Sequence, residues 1–409
     1  MRILVLTQWF FPEPNFKMFS FAKELIKHGH EVQVLTGFPN YPDGKIYDGY
    51  KIRILYREVI EGIHILRVPL YPSHDTSVVR RIANYASFAF SAMCMGAFLV
   101  KPADVMYVYH QPVTVGLPAI VLRLTRRIPI IYDIQDLWPD TLGATGMVNN
   151  KKILWLVDKW CRFTYNHANR ITVLSPGFKK ILISRGVSQE KIEVVYNWCD
   201  DSQIQSANKN TALARELGME SRFNIVFAGT MGRAQALDAV LDAAKIVGDR
   251  FPSIQFVFVG GGVDVDRLIQ KARTMGIRNV LFLAKRPLSE IGKILNLADV
   301  LLVHLKDDPL FSITIPSKTQ AYLSVGRPIL MAVRGDAADL IERAGAGLSC
   351  IPENPNSIAQ MVVKFFTMSR EELDVMGDNG KKFYEQELSL SVGVRRFEEI
   401  FKSVISDNS

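Results

Sequence analysis

The stretch FNIVFAGTMGRAQALDAV, residues 223–240, shows the organisation that decides the fold. A continuous apolar run ends in a turn that contains two glycines, and a helical pattern follows. Such runs are typical of strands in a parallel sheet, because helices cover both faces of that sheet. The stretch therefore predicts one strand–turn–helix repeat of an α/β domain.

Similar apolar runs recur through the 409 residues. They are RILVLTQ, EVQVLTG, IHILRVP, DVMYVYH, IPIIYDI, RITVLS and IEVVYN, then FNIVFAG, IQFVFVGGG, NVLFLAK, DVLLVHL and RPILMAV. A polar stretch after Asn197 has no strand pattern until Phe223 and indicates a linker. We predict two doubly wound, Rossmann-like α/β domains that face each other across a cleft. Residues 1–198 and 199–388 form these domains, and residues 389–409 form a helix that returns to the first.

The net charge of +8 comes entirely from the first half of the chain. Residues 1–200 hold 24 Lys and Arg against 16 Asp and Glu, whereas residues 201–409 hold 25 of each kind. A basic surface suits anionic lipid or nucleic acid, and the accompanying apolar and aromatic runs favour lipid. The four cysteines are scattered, and the apolar start lacks a cleavage site, so we expect a cytoplasmic protein without a signal peptide.

Four predicted strand ends of the second domain carry glycines, hydroxyls or cations. They supply Gly229, Gly232, Arg233 and Gln235, then Gly261, then Lys285 and Arg286, and finally Ser317, Lys318 and Thr319. The last three open a helix, whose start offers unpaired amide groups and a positive dipole end. Each residue alone also fits an ordinary turn, but together they predict a site for a phosphorylated, nucleotide-like ligand.

In the first domain, YHQPVTVGLPA and DIQDLWPDTLG follow two predicted strands. His110 also fits a buried structural histidine, and Asp133, Asp136 and Asp140 also fit helix caps. Ligands bind beyond the carboxyl ends of parallel strands, and this shared position favours a functional role.

The acidic triplet DVD, residues 264–266, resembles the motif of metal-dependent sugar transferases. It directly follows a glycine turn, where acidic residues favour a helix start, and no cluster of metal-ligating residues supports it. We therefore expect no catalytic metal. The spaced glycines of a dinucleotide fingerprint are missing, which argues against a dehydrogenase.

Seven segments, in this order and spacing, resemble the retaining glycosyltransferases of family 4. They are FPEPNFKMFSFAKELIKHGHEVQVLTGFPNYP, YHQP, DLWPD, VVYNWCD, FAGTMGRAQALDAVLDAA, FVGGG and IPSKTQAYLSVGRPIL. The resemblance covers essentially the whole chain. It is closest to bacterial enzymes of O-antigen and capsule assembly that add N-acetyl-L-fucosamine or a similar aminodeoxy sugar.

This resemblance implies a GT-B fold, a UDP-sugar donor, a lipid-linked (undecaprenyl diphosphate) sugar acceptor and no cofactor. The second domain would bind the donor and the first domain the acceptor, with no nucleic acid. His110 falls where the family has its active-site histidine, and Arg233 and Lys318 fall in the loops that hold the donor diphosphate. Asp136 completes the expected catalytic set.

Three departures from the family pattern affect the donor site. Ile313 and Ala321 stand where the family shows two glutamates, which puts the ribose contact in question. Gln235 takes the place of a lysine, which leaves Arg233 to supply charge. The segment FPEPN replaces a glycine-rich turn, and we expect Asn15 to hold that helix start.

The sequence shows no pair of inward carboxylates that would act as acid and nucleophile, as a glycoside hydrolase has. We expect same-face substitution in which the leaving diphosphate helps to deprotonate the acceptor. A nucleotide-sugar 2-epimerase of the same shape and a non-enzymatic sugar-binding protein remain the alternatives.

Two segments of the first domain predict contact with the inner face of the plasma membrane. IANYASFAFSAMCMGAFLV, residues 82–100, has no charged residue, and its small and polar residues favour a buried or interfacial helix over a span. KKILWLVDKWCRFTYNHANR, residues 151–170, combines aromatic and basic residues, which suits a membrane interface. An ordinary helix with a solvated basic face is the alternative for the second segment.

Overall fold

The computed structural model describes residues 1–14, 16–74, 77–144, 148, 150–201, 203–204 and 206–408. The chain divides into two compact units. The first unit comprises Met1–Tyr196 with Gly393–Ser409, and the second comprises Asn197–Val392. The predicted domain boundaries at residues 198 and 388 lie near Asn197 and Gly393, where the chain passes from one unit to the other.

The first unit is built on an eight-stranded sheet of order β3-β4-β2-β1-β5-β6-β7-β8. Its strands are β1 (Arg2–Leu6), β2 (Glu31–Gly37), β3 (Tyr56–Ile60), β4 (Ile63–Val68), β5 (Val105–Tyr109), β6 (Ile130–Ile134), β7 (Arg170–Val173) and β8 (Ile192–Val194). Its helices are α1 (Phe16–Lys27), α2 (Val78–Leu99), α3 (Gly116–Arg126), α4 (Asp140–Ala144), α5 (Lys151–His167) and α6 (Pro176–Ser184). All neighbouring strands pair in parallel except β3, which runs antiparallel to β4.

The second unit has a six-stranded parallel sheet of order β11-β10-β9-β12-β13-β14. The helix α7 (Thr211–Glu216) precedes the strands β9 (Phe223–Ala228), β10 (Ile254–Val259), β11 (Val280–Leu283), β12 (Val300–His304), β13 (Ile329–Ala332) and β14 (Gly347–Ser349). Its remaining helices are α8 (Asp238–Gly248), α9 (Val265–Thr274), α10 (Leu288–Leu295), α11 (Pro309–Ser312), α12 (Ser317–Val325), α13 (Asp336–Ala344), α14 (Pro355–Thr367) and α15 (Arg370–Phe383). The last helix, α16 (Leu390–Ser406), begins in this unit and lies mostly in the first.

The prediction of two Rossmann-like α/β domains is confirmed, and every apolar run quoted from the sequence forms a strand. Strands β5, β6, β12 and β13 are buried along their whole length, as expected for sheets covered on both faces. The sequence reading missed β3 and β14. Strand β3 is half-exposed at a sheet edge, and β14 has only three residues, so neither presents an apolar run. The predicted linker also contains the short helix α7.

Helix α16 ends in the first unit, where its aromatic side chains pack under the sheet. The ring centroid of Phe397 lies 5.1 Å from that of Phe21 and 5.2 Å from that of Tyr107. Glu398 forms hydrogen bonds with His28 at 3.0 Å and His30 at 2.6 Å. The last residues of the chain therefore contribute to the core of the first unit.

Candidate functional site

Glycine-containing turns follow β9 and β10 at the carboxyl edge of the second sheet. Gly229 and Gly260 adopt φ values of +139° and +143°. A Cβ atom on Gly260 would lie 2.0 Å from the carbonyl oxygen of Gly229, so only glycine allows the two turns to pack this closely. The amide of Met231 donates to the carbonyl of Gly261 at 2.8 Å and continues this contact. The turns therefore present backbone, without intervening side chains, where a parallel sheet binds ligands.

Lys318 reaches this edge from the first turn of α12. Its Nζ atom is buried 3.5 Å from the ring centroid of Phe227 and has no hydrogen-bond partner in the part of the chain that the structure describes. A Cβ atom on Gly229 would come within 3.2 Å of the same nitrogen. Burial lowers the pKa of Lys318 to about 7. The second unit thus holds a desolvated amine directly beside a glycine turn.

The other two predicted residues of this helix start differ in exposure. The Oγ1 atom of Thr319 is buried and lacks a partner among the described residues, whereas Ser317 is exposed. Pro316 precedes them and provides no side-chain cap. The amide of Thr319 donates to the carbonyl of Pro316 at 2.8 Å, so this helix start offers the amides of Ser317 and Lys318 to an anion.

Gln235 and Gly232 lie together in the turn after β9. The Oε1 atom of Gln235 accepts from the amide of Gly232 at 3.1 Å, and its carbonyl oxygen accepts from Nδ1 of His304 at 2.7 Å. The Nε2 atom of His304 accepts from the amide of Glu353 at 3.1 Å, so the ring is the neutral Nδ1–H tautomer. Burial lowers the pKa of His304 accordingly. This histidine, which the sequence reading missed, holds the turn that carries the exposed Arg233.

Lys285 and Arg286 follow β11 and are both exposed. The Cβ atom of Lys285 would lie 3.8 Å from a Cβ atom on Gly261, so its side chain starts beside the glycine turns. Arg286 instead forms a surface ion pair with Glu290 at 3.5 Å. The structure therefore brings Gly229, Gly261, Lys285 and Lys318 to one edge and directs Arg286 to a neighbouring helix.

His110 follows β5 in the first unit and is deeply buried. Its ring lies edge-on to Tyr132 at 5.1 Å and 5.8 Å from Tyr165, between ring centroids. Neither ring nitrogen has a partner within the described ranges. Burial lowers the pKa of His110 to about 4, so the imidazole is neutral at pH 7. It can exchange a hydrogen bond with a hydroxyl but has little basicity.

Asp136 lies beside the same loop. Gln111, the residue after His110, donates from Nε2 to the Asp136 carboxylate, and burial raises the pKa of Asp136. Asp140 instead forms an ion pair with Arg185. The structure therefore joins His110 and Asp136 through Gln111 and leaves Asp140 outside this group.

A buried polar network centred on Asp133 was not recognised as such from the sequence. Its carboxylate accepts from Lys17 at 2.8 Å, and Lys17 is itself buried in α1. Gln135, Thr172 and Tyr107 also donate to this carboxylate. Lys17 lies on the same face of α1 as the buried residues Phe21 and Leu25. A lysine on an apolar helical face is the sequence signal that could have indicated this buried network.

Two remaining predictions concern Asn15 and metal binding. Asn15 lies outside the described residues. Asp264, in the triplet that resembles a metal motif, receives a hydrogen bond from Arg267 at 3.4 Å. The described residues contain no group of three or more His, Cys, Asp or Glu side chains placed to hold a metal ion.

Comparison with known families identifies the chain. Residues 18–198 match the model described as "Glycosyl transferase 4-like domain", and residues 210–383 match the one described as "Glycosyl transferases group 1". The chain belongs to the group 1 glycosyltransferases. The resemblance found in the sequence is thereby confirmed at the level of the family. The candidate residues of this glycosyltransferase that lie in the second unit all fall within the second match.

Two curated relatives are similar over most of their length. This glycosyltransferase is 27% identical to the putative colanic acid biosynthesis glycosyl transferase WcaI of Escherichia coli, over 74% of this chain and 75% of the relative. It is 20% identical to the probable glycosyltransferase WbjE of Pseudomonas aeruginosa, over 79% of this chain and 80% of the relative.

A similar solved structure is Anabaena Alr3699/HepE in complex with UDP and glucose, with a TM-score of 0.69. Sequence identity is 16%, and the match covers 98% of this chain and 100% of that chain. At this identity the likeness supports the fold, and the predicted GT-B class is confirmed.

Proposed function

We propose that this glycosyltransferase moves an N-acetyl aminodeoxy sugar, such as N-acetyl-L-fucosamine, from a UDP-sugar to a lipid-linked sugar acceptor in O-antigen or capsule assembly. The buried amine of Lys318 beside the glycine turns carries the proposal, because it suits a departing diphosphate. The relative WcaI, which is named for colanic acid biosynthesis, supports a role in surface polysaccharide. The UDP and glucose bound to HepE support the class of donor.

The donor diphosphate would lie against the glycine turns and the start of α12. Breaking the anomeric bond places negative charge on the diphosphate, and a fixed cation in a desolvated site stabilises that charge more than water does. Lys318 would supply this cation, with Arg233 and Lys285 adding charge at the exposed side. In this proposal protein cations, and no metal ion or cofactor, neutralise the leaving group.

The proposed transfer retains the configuration of the sugar. The leaving diphosphate helps to deprotonate the acceptor hydroxyl on the same face, so no carboxylate nucleophile is required. The neutral imidazole of His110 serves as a polar contact to the reacting sugar, and Asp136 keeps the His110 loop in position through Gln111. We assign His110 a binding role because its pKa of about 4 makes it too weakly basic to act as a general base at pH 7.

The acceptor would be an undecaprenyl diphosphate-linked sugar at the cytoplasmic face of the membrane. By length and composition alone α2 could cross a bilayer, as can many core helices, and no other helix in the described ranges qualifies. Asn84 in its first half is buried and hydrogen-bonded to Gln8, which seats the helix on the sheet. Phe98 on α2 and Trp155 on α5 are 83% and 58% exposed, and the exposed Lys151 and Lys152 precede Trp155 by about one helical turn. We propose that these side chains dock the first unit peripherally on anionic lipid.

Purified protein incubated with candidate UDP-sugars tests the function. Transfer should require both a UDP-N-acetyl aminodeoxy sugar and a lipid diphosphate-linked sugar, release UDP and give a product with the anomeric configuration of the donor. Activity should persist in EDTA. Conversion of the UDP-sugar without an acceptor would instead indicate an epimerase, and binding without turnover would indicate a sugar-binding protein.

A further inference from the structure

Three aromatic side chains gather at the carboxyl edge of the first sheet. Trp9 follows β1, Tyr41 follows β2, and Tyr85 lies in the first half of α2. The ring centroid of Trp9 lies 5.3 Å from that of Tyr41 and 6.1 Å from that of Tyr85, with a tilted and an edge-on arrangement. All three residues are half-buried, so part of each ring surface is accessible. We refer to Trp9, Tyr41 and Tyr85 as the aromatic platform.

A chain of buried amides accompanies the platform. The Nε2 atom of Gln8 donates to Oδ1 of Asn84 at 2.6 Å, and Nδ2 of Asn84 donates to Oδ1 of Asn40 at 3.3 Å. Gln8 precedes Trp9, and Asn40 precedes Tyr41. The Oε1 atom of Gln8 is buried and has no partner in the described part of the chain. A buried carbonyl oxygen without a donor is unfavourable in the fold alone, and a ligand hydroxyl would satisfy it.

Two buried charged residues hold the loops that carry Trp9 and Tyr41. The carboxylate of Glu13 accepts from the backbone amides of Phe10 at 3.0 Å and of Asn40 and Tyr41 at 2.8 Å each. Glu13 thus ties the FPEPN segment to the loop after β2.

Arg67 ties the same two loops from the other side. Its side chain is fully buried and donates to the carbonyls of Gly37 at 3.0 Å and Phe11 at 2.5 Å. Burying a carboxylate or a guanidinium is costly unless the group is paired or hydrogen-bonded, and Arg67 also forms an ion pair with Glu58 at 2.5 Å. Here the hydrogen bonds of Glu13 and Arg67 fix two loops at a ligand-binding edge, which is the preorganisation that recognition requires.

The platform also adjoins the loop that carries His110. Thr114, in that loop, donates from its hydroxyl to the carbonyl of Tyr85 at 3.3 Å. Arg81, one helical turn before Tyr85, acts electrostatically on both Tyr85 and His74, and the ring of His74 lies edge-on to Tyr41 at 4.7 Å. The aromatic ring faces, the unpaired amide oxygen of Gln8 and the cation of Arg81 therefore occur together next to the loop that carries His110.

We propose that the aromatic platform is a stacking subsite for a sugar ring of the acceptor, with Gln8 accepting a hydrogen bond from one of its hydroxyls. This proposal rests on the proposed function, which assigns the donor to the second unit. The C–H face of a pyranose is apolar and slightly positive, so it matches the negative face of an aromatic ring. Its hydroxyls need polar partners, and binding sites of this kind combine both features.

Binding measurements test the subsite independently of catalysis. The probes are farnesyl diphosphate-linked N-acetylglucosamine and N-acetylfucosamine, titrated without donor, and UDP is titrated separately. Trp9→Ala and Tyr85→Ala should weaken binding of the better probe by about tenfold or more, because each removes a ring face. Trp9→Phe and Tyr85→Phe should retain most of the affinity. All four variants should bind UDP within about twofold of wild type.

Phe11→Ala is the matched control, since Phe11 lies in the same loop but stacks on Phe19 with 4.4 Å between ring centroids. The proposal would be overturned if Trp9→Ala and Tyr85→Ala bound the probe as tightly as wild type, or if they lost affinity for UDP instead. It would also be overturned if the wild-type protein bound neither probe. If Trp9→Ala unfolds, saturation-transfer NMR on wild type should show contact of the probe's pyranose protons with aromatic protons, and its absence would overturn the proposal. Failure of the proposed function would appear separately, as binding without transfer.

Discussion

Two lysines, one in each unit, have buried amines with different surroundings. Lys17 donates to Asp133 at 2.8 Å within a network of further donors to the same carboxylate. Lys318 faces the ring of Phe227 and has no hydrogen-bond partner among the residues that the structure describes. Burial lowers the pKa of both. A buried cation with a built-in counterion belongs to the fold, whereas one without a counterion is available to an anionic ligand.

The largest effect should come from breaking the paired lysine. Lys17→Met leaves the Asp133 carboxylate buried without its cation, and we expect a loss of about 3–5 kcal/mol in the free energy of unfolding, measured with urea. Lys27→Met is the control on the same helix. Lys27 pairs with Glu24 at the surface, so its loss should cost less than about 1 kcal/mol. Equal effects of the two substitutions would remove the distinction between the buried and the exposed pair.

Removing the unpaired lysine should affect catalysis more than stability. Lys318→Ala should lower kcat roughly a hundredfold or more, because the departing diphosphate loses its fixed cation, while the unfolding free energy should not fall, because burial of this amine does not stabilise the fold. Lys293→Ala, which removes an exposed lysine of the second unit, should leave kcat unchanged. A normal kcat with only weaker donor binding in Lys318→Ala would contradict the role in leaving-group stabilisation.

His110 extends the comparison, since it is a buried polar group of the first unit without a partner in the described ranges. His110→Ala should lower the rate of transfer about tenfold or more and leave UDP affinity near wild type, as both isothermal titration and steady-state kinetics can show. His64→Ala on β4 provides an exposed control. Full activity of His110→Ala would make His110 a structural residue.

The pH dependence of Lys318 sharpens the comparison further. Its folded-state pKa of about 7 lies below the ordinary value of 10.5, so the free enzyme loses the proton as pH rises through 7. Affinity for UDP should therefore fall above pH 7, by up to about tenfold per pH unit. Because the unfolded chain keeps this proton up to about pH 10.5, this group should make the folded state more stable as pH rises between these values. Lys318→Met should lack both trends, and their persistence in that variant would assign them to another group.

The smallest effect concerns a third kind of lysine, exposed and next to exposed apolar side chains. Binding to vesicles of anionic lipid, followed by flotation, should weaken about fivefold for each of Lys151→Gln and Lys152→Gln, and should also weaken with added salt. The single variants Lys179→Gln and Lys180→Gln on α6 make the same change in net charge, and each should bind as wild type. Salt-insensitive binding would favour apolar insertion through α2, and no binding would end the membrane proposal.

Much of the fold followed from local sequence. Strands such as β5 and β12 are buried on both faces, so their composition alone separates them from helices and loops. The edge strand β3 alternates half-exposed and exposed residues and carries two charged side chains, which the search for apolar runs could not detect. Glycine turns after strands likewise predicted a ligand site in the second unit, and the structure packs these turns together at one edge of the sheet.

The roles of individual polar residues depended on tertiary structure. In the sequence Lys17 and Lys318 are both lysines near a helix start, and no local pattern shows which of them has a counterion. Lys17 and Asp133 are 116 positions apart, and only the packing of α1 against the sheet brings them together. Glu13 and Arg67 similarly join loops that follow different strands. Local composition decides which segments are buried, because burial follows apolar surface, but the partner of a buried charge is chosen by contacts between distant segments.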